Sequence, residues 1–138
     1  MITKLIETKL VNYLKAENSG IENENIVAGI SDSKRELPCI VAWCDSATDY
    51  PSVPVTAGLF VMSLKAMVMQ SNTESVDIFR DRSDRLHNAI RLFETMRNAF
   101  NTDTSNSLFV YGFRNLKVET SVEEYHFVVT YSVEAIAS

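Results

Sequence analysis

The stretch ESVDIFRDRSDRLHNAIRLFETMRNAF, residues 74–100, decides how the rest of the chain must fold. Phe79, Leu86, Phe93 and Phe100 recur every seven residues, with Ala89, Ile90 and Met96 beside them, which is the apolar stripe of an amphipathic helix. One unbroken helix over 74–100 would run about 40 Å, enough to cross a small sheet from edge to edge. Its other side carries Asp77, Arg80, Asp81, Asp84, Arg85, His87, Asn88, Arg91, Glu94 and Asn98, a mixed-charge surface on which Asp81 and Arg85 can pair one helical turn apart. Asn72 or Thr73 is placed to cap its start, Glu74 and Asp77 suit the positive end of its dipole, Arg97 suits the other end, and 101–106 supply the exit.

An apolar helix face of this length needs a matching surface, and the neighbouring segments provide it. After Gly58, the residues Phe60, Met62, Leu64, Ala66 and Val68 share one face of a strand, with Ser63 and Lys65 on the other, so the first set should meet the helix. Beyond the helix, 108–118 reads as a strand, Thr120, Ser121 and Glu123 lie around a turn, and Tyr125, Phe127, Val129, Tyr131, Val133 and Ala135 alternate with His126, Thr130, Ser132 and Glu134. A half-buried antiparallel pair results. Upstream, 39–45 is apolar on both faces, as suits a central strand, and Pro38 fits only at its start. A short β-like run at 26–30 precedes it, followed by a charged turn at 32–36. The first element is a helix with Ile2, Leu5, Ile6, Leu10, Tyr13 and Leu14 on one side, ending near Glu17 where Asn18, Ser19 and Gly20 break it. The order α-β-β-β-α-β-β, without repeat or linker, predicts one α+β domain over 1–138: a mostly antiparallel sheet packed by the long helix, with an N-terminal helix nearby.

Composition bounds the function. With 138 residues, 46% hydrophobic and 22% charged, the chain has the proportions of one compact soluble domain able to bury a core without metals or disulfides. A net charge of −5 argues against a tight generic grip on DNA or on an anionic membrane. Cys39 and Cys44 fall on opposite faces of one strand, so they should neither pair with each other nor share a metal, and they read as buried, reduced residues. The N-terminal residues mix charge among their apolar side chains, unlike a secretory signal, and no apolar run approaches the length of a membrane helix. A reducing cytoplasm is the expected place of synthesis.

Catalytic motifs are missing from the sequence. It holds only four glycines and no phosphate-cradling loop, nucleophile elbow or His-Glu-x-x-His helix. His87 and His126 lie on polar sides and read as surface histidines, Asp45 and Asp49 read as solvated turn residues rather than a cation cage, and Met62, Met67 and Met69 read as core and sheet packing. No catalytic, cofactor-binding or metal-ligating residue is indicated. Two segments read as contact surfaces instead. Residues 46–57, Ser-Ala-Thr-Asp-Tyr-Pro-Ser-Val-Pro-Val-Thr-Ala, form a long loop or arm in which Pro51 and Pro54 stiffen the backbone and Tyr50, Val53 and Val55 offer apolar anchors. Asp81, Arg82, Asp84 and Arg85 form either a solvated helix face or a subunit contact of complementary charges.

The N-terminal helix, the strand Leu37-Pro-Cys-Ile-Val-Ala-Trp43, the proline-bearing loop, the strand Gly58-Leu-Phe-Val-Met-Ser-Leu-Lys-Ala66, the helix Ile78-Phe-Arg-Asp-Arg-Ser-Asp-Arg-Leu-His-Asn-Ala-Ile90 and the closing strand pair together resemble the tail-terminator, or tail-completion, proteins of long-tailed phages. The likeness is one of order, length and patterning, and it covers nearly the whole chain. It implies a virion protein, assembled in the host cytoplasm as a homo-oligomeric ring, typically a hexamer. Such a ring sits on the head-proximal end of the tail tube, ends tube polymerisation, and offers a surface to the neck or head-completion protein. No catalytic residue, cofactor or membrane contact belongs to this role, and DNA would pass through the ring without specific binding, which an acidic chain favours. Two other readings compete: a different head-tail connector or neck ring protein, and a ligand-binding or enzymatic α+β domain with its site under loop 46–57.

Overall fold

Phe60, Met62, Leu64, Ala66 and Val68, at every second position of a strand, do place one of its sides against the helices. The computed structural model describes residues 2–17, 20–29, 36–50 and 58–138. Helix α1 (Ile2–Ala16) is followed by a short 3-10 turn (Asn23–Asn25) and the strands β1 (Ile26–Ala28), β2 (Cys39–Asp49) and β3 (Phe60–Ser71). Then come helices α2 (Val76–Arg91) and α3 (Phe93–Thr102), and strands β4 (Val110–Val122) and β5 (His126–Ala137). The five strands form one sheet in the order β1-β2-β3-β5-β4, with β1 parallel to β2 and every other pair antiparallel. This is a single α+β domain with a mostly antiparallel sheet.

All three helices lie on one face of that sheet. Ile6, Leu10 and Leu14 of α1, Leu86 and Ile90 of α2, and Met96 and Phe100 of α3 share a core with Ile40, Leu64, Val68, Val129 and Val133. The opposite face carries Val41, Trp43, Lys65, Met67, Thr130 and Ser132, which alternate with the core residues along β2, β3 and β5. Cys44 packs toward the helices and Cys39 lies in the other register, as the spacing predicts. Burial pushes the Cys44 thiol up to about 11, so it is not a thiolate at neutral pH.

The long helix departs from the sequence expectation: it is two helices, broken at Leu92, where φ is −81° and ψ is 69°. A strict seven-residue repeat rotates by about 20° per heptad around a straight α-helix, so a stripe spanning three heptads would slide off a flat contact. Re-aiming the chain at Leu92 lets α2 lie over β3 and β5 while α3 turns onto β4, where Phe100 and Phe93 meet Phe113 at ring distances of 5.2 and 6.2 Å. No proline or glycine marks the break. The Ala89 carbonyl, among the last of α2, is instead satisfied from outside by the Tyr13 hydroxyl at 2.7 Å. A second tyrosine, Tyr131 of β5, donates to the Ser83 carbonyl of α2 at 2.8 Å.

The helix cap also differs from expectation. Strand β3 runs through Ser71 and the turn closes from Glu74 N–H to the Ser71 carbonyl, so Asn72 and Thr73 are spent in the turn. Ser75 caps α2, its hydroxyl accepting from the Asp77 N–H at 3.1 Å. At the end of α3 the cap comes from across the fold: Lys9 of α1 is 1% exposed, and its Nζ donates to the Phe100 and Asp103 carbonyls, each at 2.8 Å. Burial raises the Asp103 carboxyl, but hydrogen bonds from Asn12 and Ser105 and the charge of Lys9 outweigh it and hold the group below the usual carboxylate range.

Three strand boundaries move as well. Ser46 to Asp49 belong to β2 rather than to a loop, because Ala47, Thr48 and Asp49 pair with Met62, Val61 and Phe60 after a bulge between Cys44 and Ser46. Thr120 and Ser121 belong to β4, paired with Val129 and Val128, so the turn sits at Glu123 to Tyr125 and Tyr125 is exposed rather than part of the buried alternation. Strand β2 is flanked on its outer side only where β1 pairs with Ile40 to Ala42. Beyond that point its outer edge meets no described strand, and the Cys44 N–H donates to Glu7 of α1 at 2.9 Å.

Candidate interaction surface

The outer end of β4 reaches past the helix layer. Val118, Thr120 and Val122 alternate on the side of the sheet that faces α2, yet α2 sits over β3 and β5. The gap is a groove of about 390 Å³ walled by Val76 and Phe79 of α2 on one side and by Val118 and Val122 on the other. Phe127 and Tyr131 of β5 form its floor. The floor is held firmly: Phe127 packs on Phe79 with ring centres 5.4 Å apart, and His87 stacks on the Tyr131 ring at 5.3 Å. Burial, helped by the negative charge of Asp84, pushes the Tyr131 hydroxyl up to about 12, so at neutral pH it stays a neutral donor to the helix.

What the groove presents is apolar. Val76 and Val118 are 44% and 45% exposed and Val122 is 80% exposed. Contiguous apolar surface rimmed by polar groups, here Arg80, Asp84 and His87, marks contact sites on otherwise polar proteins. Convergent chemistry is a different matter: among the described residues no group of three or more His, Cys, Asp or Glu is arranged to hold a metal ion. Asp45 pairs with Lys65 at 3.5 Å, and Asp49 ends β2, both on a strand rather than in the turn first expected. No described helix is long and apolar enough to cross a membrane.

Comparison with models of known protein families, and with curated proteins, gives no match for this chain.

The contact residues expected from the sequence are not brought together. Tyr50 lies at the far end of the sheet from the groove, its N–H donating to the Leu59 carbonyl at 3.0 Å and its ring 5.8 Å from the Arg114 guanidinium. Val53 and Val55 lie outside the described residues. Asp81 and Arg85 pair with each other at 3.0 Å, on the flank of α2 where the Arg85 side chain lies beside Gly20. Asp84 is on the other flank, at the rim of the groove. Arg82 is not a free contact residue at all: it is largely buried and held by Gln70 Oε1 at 2.5 Å and Glu74 Oε2 at 3.0 Å, tying the first turns of α2 to β3. The helix segment 81–85 is therefore not one surface, because successive residues of a helix point in different directions.

Sequence reading missed Val118 and Val122. Their signal is the period-two pattern Val118, Thr120, Val122, which carries the strand past the expected end at 118.

Strand β4 is also an edge of the sheet, 13 residues long. Register shifts between Val110 and Gly112 and between Arg114 and Lys117 interrupt it, and Asn115 at the second has a φ of 58°. Asn115 bonds to Glu134 there. Bulges and charged side chains such as Lys117 and Glu119 discourage indiscriminate strand addition while leaving the outer end of the edge available.

Proposed function

We propose that this chain is a structural protein of a long-tailed phage that assembles as a ring, six-membered by family resemblance, on the head-proximal end of the tail tube. The ring ends tube polymerisation and presents its outer surface to a neck or head-completion protein. The observation that supports this best is the pairing of an open apolar groove with a sheet whose two edges differ: the long β4 on one side and the outer half of β2 on the other. Unlike edges favour a head-to-tail contact between copies, and a head-to-tail contact closes into a ring when its rotation allows. A negative chain, at −5, suits a ring through which DNA slides without being held.

The assembly is tested by light scattering across a concentration series at fixed ionic strength. The expected outcome is a rise from monomer mass to the mass of a closed ring, without intermediate dimers accumulating as a plateau. A plateau at two copies would instead indicate a two-fold contact, and would contradict the ring.

A further inference from the structure

We propose that the groove between α2 and the outer end of β4 receives segment 51–57 of a second copy of this chain; the proposal rests on the ring reading and names the contact that builds it. The groove and the segment match in chemistry. The segment, Pro-Ser-Val-Pro-Val-Thr-Ala, carries no charge and two valines, and two prolines lower the entropy lost when it docks. The groove offers Val76, Phe79, Val118 and Val122 around an aromatic floor.

Geometry sets the donor apart from the acceptor. The segment is tied at its base by the Tyr50 to Leu59 hydrogen bond, level with Phe60 and Ala137 at one end of the sheet. The groove begins level with Ala66, where Tyr131 pairs with Val118, and ends level with Gln70, where Phe127 pairs with Val122. Six to ten residues along β3 correspond to about 20–33 Å. A seven-residue segment leaving and returning to one base reaches about 12 Å. Docking within one chain is therefore out of reach, whereas a neighbour laid end to side can insert its segment, and the same contact repeats around the assembly. Val122, 80% exposed, is left open by its own chain and so is available to a neighbour.

The test is disulfide trapping in a Cys44→Ser background, which removes the half-buried native thiol. A chain carrying Val53→Cys is mixed with one carrying Val122→Cys under mild oxidation, and Thr120→Cys serves as a second reporter on the same groove wall. The expected result is a linked pair in the mixtures and none above background in either variant alone. A chain carrying both Val53→Cys and Val122→Cys should give a ladder of linked copies up to the ring. Val122→Asp should raise the concentration at half assembly by about tenfold or more, since a charge would be buried against apolar side chains. Rings by light scattering with no link at either reporter would overturn this contact while leaving the ring reading intact; a strict monomer at all concentrations would overturn both.

Discussion

Phe100→Ala is expected to lower the unfolding free energy by about 3–5 kcal/mol in a urea titration. Phe100 is fully buried, and its ring meets the edges of Tyr13 and Phe113 at 6.0 and 5.2 Å. It therefore joins α1, α3 and β4 at one point, and the backbone around it cannot collapse to fill the space, because its own carbonyl is held by the buried Lys9. Phe93 belongs to the same seven-residue repeat but stands half-buried at the break between α2 and α3, so Phe93→Ala should cost only about 1–2 kcal/mol. Equal losses at the two positions would mean that the break does not re-aim the stripe. A loss below about 1 kcal/mol at Phe100 would mean that the helix does not end in the core.

The second large effect comes from the two tyrosines that hold α2. Replacing both Tyr13 and Tyr131 by Phe removes the hydrogen bonds to the Ala89 and Ser83 carbonyls, at 2.7 and 2.8 Å, without removing the rings. About 2–3 kcal/mol should be lost at pH 8, as two bonds of about 1–1.5 kcal/mol each. The pH dependence gives this prediction its signature. Burial, with the charge of Glu17, pushes the Tyr13 hydroxyl up to about 12, and burial, with the charge of Asp84, does the same to Tyr131. Both hydroxyls thus hold their protons in the folded chain after the unfolded chain has begun to release them near pH 10. Their contribution is complete below that pH and is lost as pH rises through about 12. Wild type should therefore lose stability more steeply than the double variant between pH 10 and pH 12, with the two converging. Parallel curves would show that the hydroxyls do not act through these bonds.

Much of the fold was legible because it rests on periodicity. Alternation along β3 and β5 correctly assigned Met62, Leu64, Val129 and Val133 to the helix side, and the heptad stripe with its neighbours named Leu86, Ala89, Ile90, Met96 and Phe100 of α2 and α3 in that core. What could not be read depends on contacts distant in sequence. The break at Leu92 carries no local signal; it follows from the different directions in which β5 and β4 must be covered. Nothing local in α1 marks Lys9 for burial, and only the arrival of the α3 C-terminus over it, more than ninety residues later, makes its burial favourable. Arg82 was misjudged for the same reason, since its partner Gln70 is a fully buried polar side chain on β3. The candidate surface was partly legible. Tyr50 and the segment after it stood out by composition, while the groove is a property of how far β4 extends past α2, which no single segment records.

The proposed ring on the end of a tail tube is open to electron microscopy of phage tail tubes polymerised from purified tube protein, with and without this chain. The expected result is a ring-shaped density at one end only of each tube, and an arrest of growth at that end. Tubes that keep growing at both ends with no added density, under conditions where the chain itself forms rings, would contradict it.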